Sequence, residues 1–343
     1  ISGNHSTLIG GGIYVDGPAV LKNTSIIDNT APSKGGGAYL LGGAILEDVI
    51  ISGNTGNNRG GGIHLSGASN LNLVTLTDNS AYSGAGIYID QGTHIISNTS
   101  VMRNSASNSG GGIFCTGSNI TIQDVIVSNN EAGLDNAESG SGGGIYIHGS
   151  PILTNVTVND NQVHDGNGGG IYIADNPTLN RIYVYGNYCN GSGGGIFANG
   201  AIELSNFLIV DNVADDNGGG IFLQSNYQGS SSLISGSIGY NRAESEKGGG
   251  LYLLGSANLS KITLAHNYSF LDGGGIYLRE SDTNIDSTNI VANSSGTGTN
   301  GIYNLSGDAS ILETNFLRNG LAVYNADNTS MIGATENWWG NLD

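Results

Sequence analysis

Apolar and polar positions alternate in short runs, and the runs recur. Ile13 and Val15 flank Tyr14, Ile145 and Ile147 flank Tyr146, and Ile171 and Ile173 flank Tyr172. Alternation is the mark of a strand, whose successive side chains point to opposite faces. The Ile-type position returns at Ala38, Ile63, Ile87, Ile113, Ile145, Ile171, Ile196, Ile221, Leu251, Ile276 and Ile302. A second apolar position falls about eight residues later, at Leu21, Leu46, Leu71, Ile95, Leu153, Leu179, Leu204 and Leu259. A third stands three residues before a recurring Asn, as Ile26 before Asn29 and Val101 before Asn104. From Asn4 to Asn104 the step is 25 residues each time.

A period of this size indicates a solenoid in which each repeat buries its apolar side on its neighbours. Helical repeats need good helix formers at 3.6-residue spacing, whereas this chain has 59 Gly in 343 residues and few Lys, Glu or Arg. The Leu-x-x-Leu-x-Leu pattern of a leucine-rich horseshoe is missing. The expectation is an all-β fold: a single-stranded, right-handed parallel β-helix of 12–13 coils of about 25 residues, with three short strands per coil. Residues 1–325 are expected to form the solenoid, as a fragment of a longer chain, and 326–343 a degenerate last coil and C-terminal cap. A dozen coils at about 4.8 Å give a rod of about 60 Å.

Gly precedes the Ile-type position in all twelve repeats, from Gly12 to Gly301. A corner with positive φ, or a close approach of stacked backbones, requires this. These runs are not phosphate-binding loops, because no Lys-Ser/Thr and no helix follows. The Asn column is expected to form a ladder of amides hydrogen-bonded from coil to coil.

The net charge of −18 argues against nucleic acid and anionic membrane surfaces as partners. No apolar stretch reaches the length of a membrane span. Cys115 occupies an inward column and Cys189 a corner after Asn187, so both are expected to be free thiols. The segment Glu336-Asn337-Trp338-Trp339-Gly340 brings both Trp and reads as a cap.

The repeats resemble those of right-handed parallel β-helix proteins of bacterial surfaces, above all the chlamydial polymorphic outer-membrane proteins. The two tetrapeptides of that family, Gly-Gly-Ala-Ile and Phe-x-x-Asn, have counterparts in Gly11-Gly12-Ile13 and in Phe316-x-x-Asn319. The resemblance implies a surface-displayed, adhesin-like region at the cell surface or outside the cell. Its partners would be glycans, surface proteins or further copies of itself end to end. A filament subunit is a further alternative.

Polysaccharide lyases and glycoside hydrolases are the rival class. Hydrolysis needs two carboxylates facing each other across the bond. No acidic cluster stands beside Arg or Lys in the same register, and His148-Gly149 and Asp215-Asp216 have no evident companions. No catalytic residue is assigned on sequence. The outward aromatic column is the candidate ligand-binding surface: Tyr88, Phe114, Tyr146, Tyr172, Phe197, Phe222, Tyr252 and Tyr277, with His64 in the same register. The rival reading of this column is mutual stacking that stabilises the sheet. No cofactor is expected, with calcium the one metal considered, on Asp135, Glu138, Asp165, Asp215 and Asp216 in acidic corners. Insertions at 131–141 and 224–232, the second carrying Tyr227, are candidate binding loops. Asn119, Asn155 and Asn258 begin Asn-x-Ser/Thr acceptor sites for glycosylation.

Overall fold

The computed structural model describes residues 1–90, 92–117, 119–134, 139–225 and 229–340. The chain divides into two compact units: Ile1–Gly166 with Gly170–Tyr172, and the remainder. Both are right-handed parallel β-helices, with about 12 turns of about 26 residues in all and three parallel sheets.

In the first unit, the first sheet runs through Ile13–Val15, Ala38–Leu40, Ile63–Leu65, Ile87–Ile89, Ile113–Cys115 and Ile145–Ile147. Its register follows the sequence period, with Ile13 opposite Ala38 and Ala38 opposite Ile63. Ile63, Leu65, Ile87, Ile89, Ile113 and Cys115 are fully buried, like above like. The second unit repeats the arrangement with Ile196–Ala198, Ile221–Gln224, Leu251–Leu254 and Ile276–Arg279.

The other two sheets differ from the sequence expectation. The second and third apolar positions lie in one long strand, such as Ala19–Ile27 or Ala44–Ser52. The strand bends, without losing its place in the sheet, at Asn23, Asp48 and Leu73, whose φ values are 48°, 54° and 55°. The remaining sheet is made of short strands just after the Asn column, including Thr30–Ala31, Thr55–Arg59 and Ser80–Ser83. Ile95 is also displaced: it faces solvent, and Ile96 takes the buried position opposite Leu71.

The glycine runs serve two ends. The first Gly of a run takes the left-handed backbone, as Gly35 does at φ 64°. The third, before the Ile-type position, is needed for close approach instead. A Cβ on Gly62 would lie 2.7 Å from the Gly86 carbonyl oxygen and 3.0 Å from the Asn79 amide nitrogen.

The Asn ladder is present in both units. Asn79 donates its backbone N–H and its Nδ2 to Asn104 Oδ1, at 3.0 and 2.9 Å, and its Nδ2 also reaches the Ile51 carbonyl. The pattern repeats from Asn29 to Asn54 and from Asn212 to Asn241. These side chains are buried, so each amide meets its hydrogen-bonding needs within the ladder.

Cys189 lies in the strand Tyr188–Cys189, not in a corner. Both Cys are free and buried. Burial pushes the Cys115 thiol up to about 11 and the Cys189 thiol up to about 12, so neither is a nucleophile at neutral pH. Near the C-terminus, Ile332–Thr335 pairs in parallel with Ala309–Leu312, and Trp339 stacks on Phe316 at 4.7 Å.

Candidate functional site

The aromatic column stands on the outer face of the first sheet, because its residues alternate with the buried Ile positions. In the first unit the rings of His64, Tyr88, Phe114, Tyr146 and Tyr172 follow one another at 4.4–5.0 Å, near parallel. In the second, Phe197, Phe222, Tyr252, Tyr277 and Tyr303 stack at 4.8–5.1 Å. The column is therefore not a bare strip. Tyr88 is 4% exposed, Tyr252 6% and Tyr277 2%. The ring faces that would stack on a ligand are already occupied by neighbouring rings, leaving the edges of half-buried members such as Phe114 and Tyr146 to face outward. Burial pushes the Tyr88 and Tyr172 hydroxyls above the ordinary tyrosine range.

Polar residues flank the column of the first unit. Two positions after His64, Tyr88, Phe114 and Tyr146 come Ser66, Asp90, Thr116 and His148. On the other flank Lys34 Nζ lies 5.7 Å from the Tyr39 ring centroid, and the Arg59 guanidinium 5.0 Å from that of Tyr88. Between the flanks is an open cleft of about 620 Å³, lined by Arg59, Ser66, Tyr88, Asp90, Phe114, Thr116, Tyr146 and His148. The structure thus joins three of the expected ligand-binding residues to an Arg, an Asp and a His. Arg59 and Asp90 do not share a register, as the sequence indicates, and a single carboxylate lines the cleft; they meet on one face because they come from different positions of successive coils.

His64 lies beneath this cleft. It is fully buried, and its Nε2 is 2.9 Å from Asp90 Oδ2. The bond from His64 holds the Asp90 carboxyl below the usual carboxylate range. Burial lowers the His64 pKa, against the opposing pull of Asp90. At neutral pH the pair is a neutral imidazole donating to a carboxylate.

Asp135 and Glu138 of the candidate calcium set, and Tyr227, lie outside the described residues. Asp215 accepts a hydrogen bond from the Tyr188 hydroxyl at 2.8 Å, and Asp216 is raised by burial and by its neighbour Asp215. Asp165 belongs to the first unit and Asp215 and Asp216 to the second. Among the described residues no group of three or more His, Cys, Asp or Glu could hold a metal ion. No helix among them is long and apolar enough to cross a membrane.

Stacked coils, three parallel sheets and an internal Asn ladder define the parallel β-helix class. The model of the "right handed beta helix region" family matches residues 1–142 and 135–269, and the chain belongs to that family. No curated protein and no solved structure matches it. The family covers enzymes and non-enzymes alike, so membership does not choose between them.

Proposed function

We propose that this chain is a non-catalytic, saccharide-binding β-helix segment of a secreted or surface-displayed protein, with its ligand seated in the Arg59–Asp90–Tyr146 cleft. The observation that carries the reading is the convergence of polar groups on a floor of aromatic edges. Tyr hydroxyls, Thr116 and the Asp90 carboxylate offer partners to sugar hydroxyls, while Arg59 offers a cation to an acidic substituent. Arg59 forms no ion pair among the described residues, in a chain with 28 acidic side chains. The bacterial surface resemblance of the repeats supports display outside the cell. The Gly-Gly-x-Ile and Phe-x-x-Asn tetrapeptides support kinship with the chlamydial repeats.

A glycan array tests this. Binding by the wild type is expected to fall about tenfold in Arg59→Ala and in Tyr88→Phe/Tyr146→Phe, each of which leaves the ring stack in place. Unchanged binding in both variants would remove the cleft as the ligand site.

A polysaccharide-degrading enzyme is the second reading, favoured by the same meeting of Arg59, Asp90 and His148. One carboxylate lines the cleft, where hydrolysis by the usual route uses two. Release of new chain ends from any polysaccharide that binds, lost in Asp90→Asn, would establish this reading instead.

A further inference from the structure

We propose that His64 is the positioning residue of the cleft, holding Asp90 as an ionised, fixed acceptor for ligand hydroxyl groups; the assignment rests on the saccharide-binding reading of that cleft.

The position of His64 in the column is unusual. The coils on either side place Tyr39 and Tyr88 there, and those further along place Phe114 and Tyr146. A ring that only had to stack could be any of these. His64 packs edge-on against Tyr39 at 4.8 Å and face-on against Tyr88 at 5.0 Å, so its plane is fixed from both sides. In that plane Nε2 points at Asp90 Oδ2, one coil along. Nδ1 is buried and has no hydrogen-bond partner among the described residues. This asymmetry selects the tautomer: the single proton sits on Nε2 and is donated to the carboxylate, because an Nδ1–H would be a buried donor without an acceptor. The charged groups facing the ring are Asp90 from the next coil, and Lys34 and Arg59, which pair in parallel ahead of their glycine runs. The two cations disfavour a second proton and Asp90 favours one.

Asp90 itself is partly open to the cleft, with its side chain 29% exposed. Oδ2 is held by His64, and among the described residues no hydrogen bond occupies Oδ1, which is left to accept from a ligand. His64 has no exposed surface and acts only through Asp90.

His64→Phe separates this role from stacking, because Phe fills the same column at Phe114 without an N–H. Titration of the Asp90 carboxyl by NMR needs no ligand. In the wild type it is expected to titrate below the ordinary carboxylate value, and in His64→Phe to climb back toward or past about 3.9. Binding of hexagalacturonate and of cellohexaose serves as the ligand probe, one acidic and one neutral. The better binder is expected to lose about tenfold in affinity in His64→Phe at neutral pH, and binding is expected to fail at a higher pH as acid is added. An unmoved Asp90 titration, or wild-type affinity and pH profile in His64→Phe, would overturn the assignment. If neither sugar, nor any on the array, bound the wild type, the ligand reading would fall, while the carboxyl titration would still decide whether His64 governs Asp90.

Discussion

Replacing Asn79 by Ala is expected to destabilise the first unit by about 3–5 kcal/mol, far more than an average substitution. The side chain of Asn79 is fully buried in the middle of the ladder. Its Oδ1 accepts from both the backbone N–H and the Nδ2 of Asn54, at 3.0 Å each. Its Nδ2 donates to Asn104 Oδ1 and to the Ile51 carbonyl. Truncation leaves the Asn54 N–H, buried in a corner, with no acceptor, and each such orphan costs about 1–3 kcal/mol. The small side chain also leaves a void between coils that water cannot readily fill. Asn70, exposed on the outside of the second sheet, is the control: Asn70→Ala should change stability by no more than about 0.5 kcal/mol. Urea unfolding followed by circular dichroism gives the loss. Native-state hydrogen exchange would place it, since solenoid coils depend chiefly on their nearest neighbours.

The parts of this fold that sequence conveys are those that repeat in register. The first sheet and the Asn ladder are legible because Ile, Gly and Asn recur at the same step and each has one physical reason to do so. The short sheet after the ladder is not legible, because two residues such as Thr30–Ala31 cannot display an alternation. Nor is the bend inside the second sheet. Positive φ is usually announced by Gly or Asn, but Leu73, Arg181 and Lys261 adopt it here, held by the strands on either side. Counting eight residues on from Ile87 points to Ile95 as inward, but here the interval is one residue longer and Ile96 takes the buried position. The middle glycine of the run tells a related story. Ala85 replaces it where the step between Ile63 and Ile87 is 24 residues, and packs with Ala81 and Ala106.

The candidate site was half legible. Tyr88, Phe114 and Tyr146 follow from alternation alone. Arg59, Asp90 and His148 do not, because they occupy different offsets in successive coils and become neighbours only when the coils are stacked. The usable signal is the position two residues after each aromatic, which in this stretch reads Ser66, Asp90, Thr116 and His148. The stacking of the rings is legible from their shared register, whereas the extent to which each ring is buried follows only once the coils are stacked.

Gly62→Ala should cost about 3 kcal/mol, at the upper end for overpacking, because the new Cβ meets groups that cannot turn aside. One is the Gly86 carbonyl oxygen at 2.7 Å, fixed by its hydrogen bond from the Ile63 N–H. The other is the Asn79 amide, at 3.0 Å from its nitrogen and 3.1 Å from its carbon, locked in the ladder. Two routes of relief exist: the coils move apart at the corner, or the Asn79 amide leaves its place. Either breaks ladder bonds, so the glycine column and the Asn column depend on each other. A double-mutant cycle exposes this. In an Asn79→Ala background the amide is gone, and only the Gly86 contact remains for Gly62→Ala to meet. The second substitution should then cost less than in the wild type, with a coupling between about 0.5 and 3 kcal/mol. Strict additivity in urea unfolding would mean that the carbonyl contact alone excludes a side chain from this column, and that the ladder plays no part in keeping it glycine.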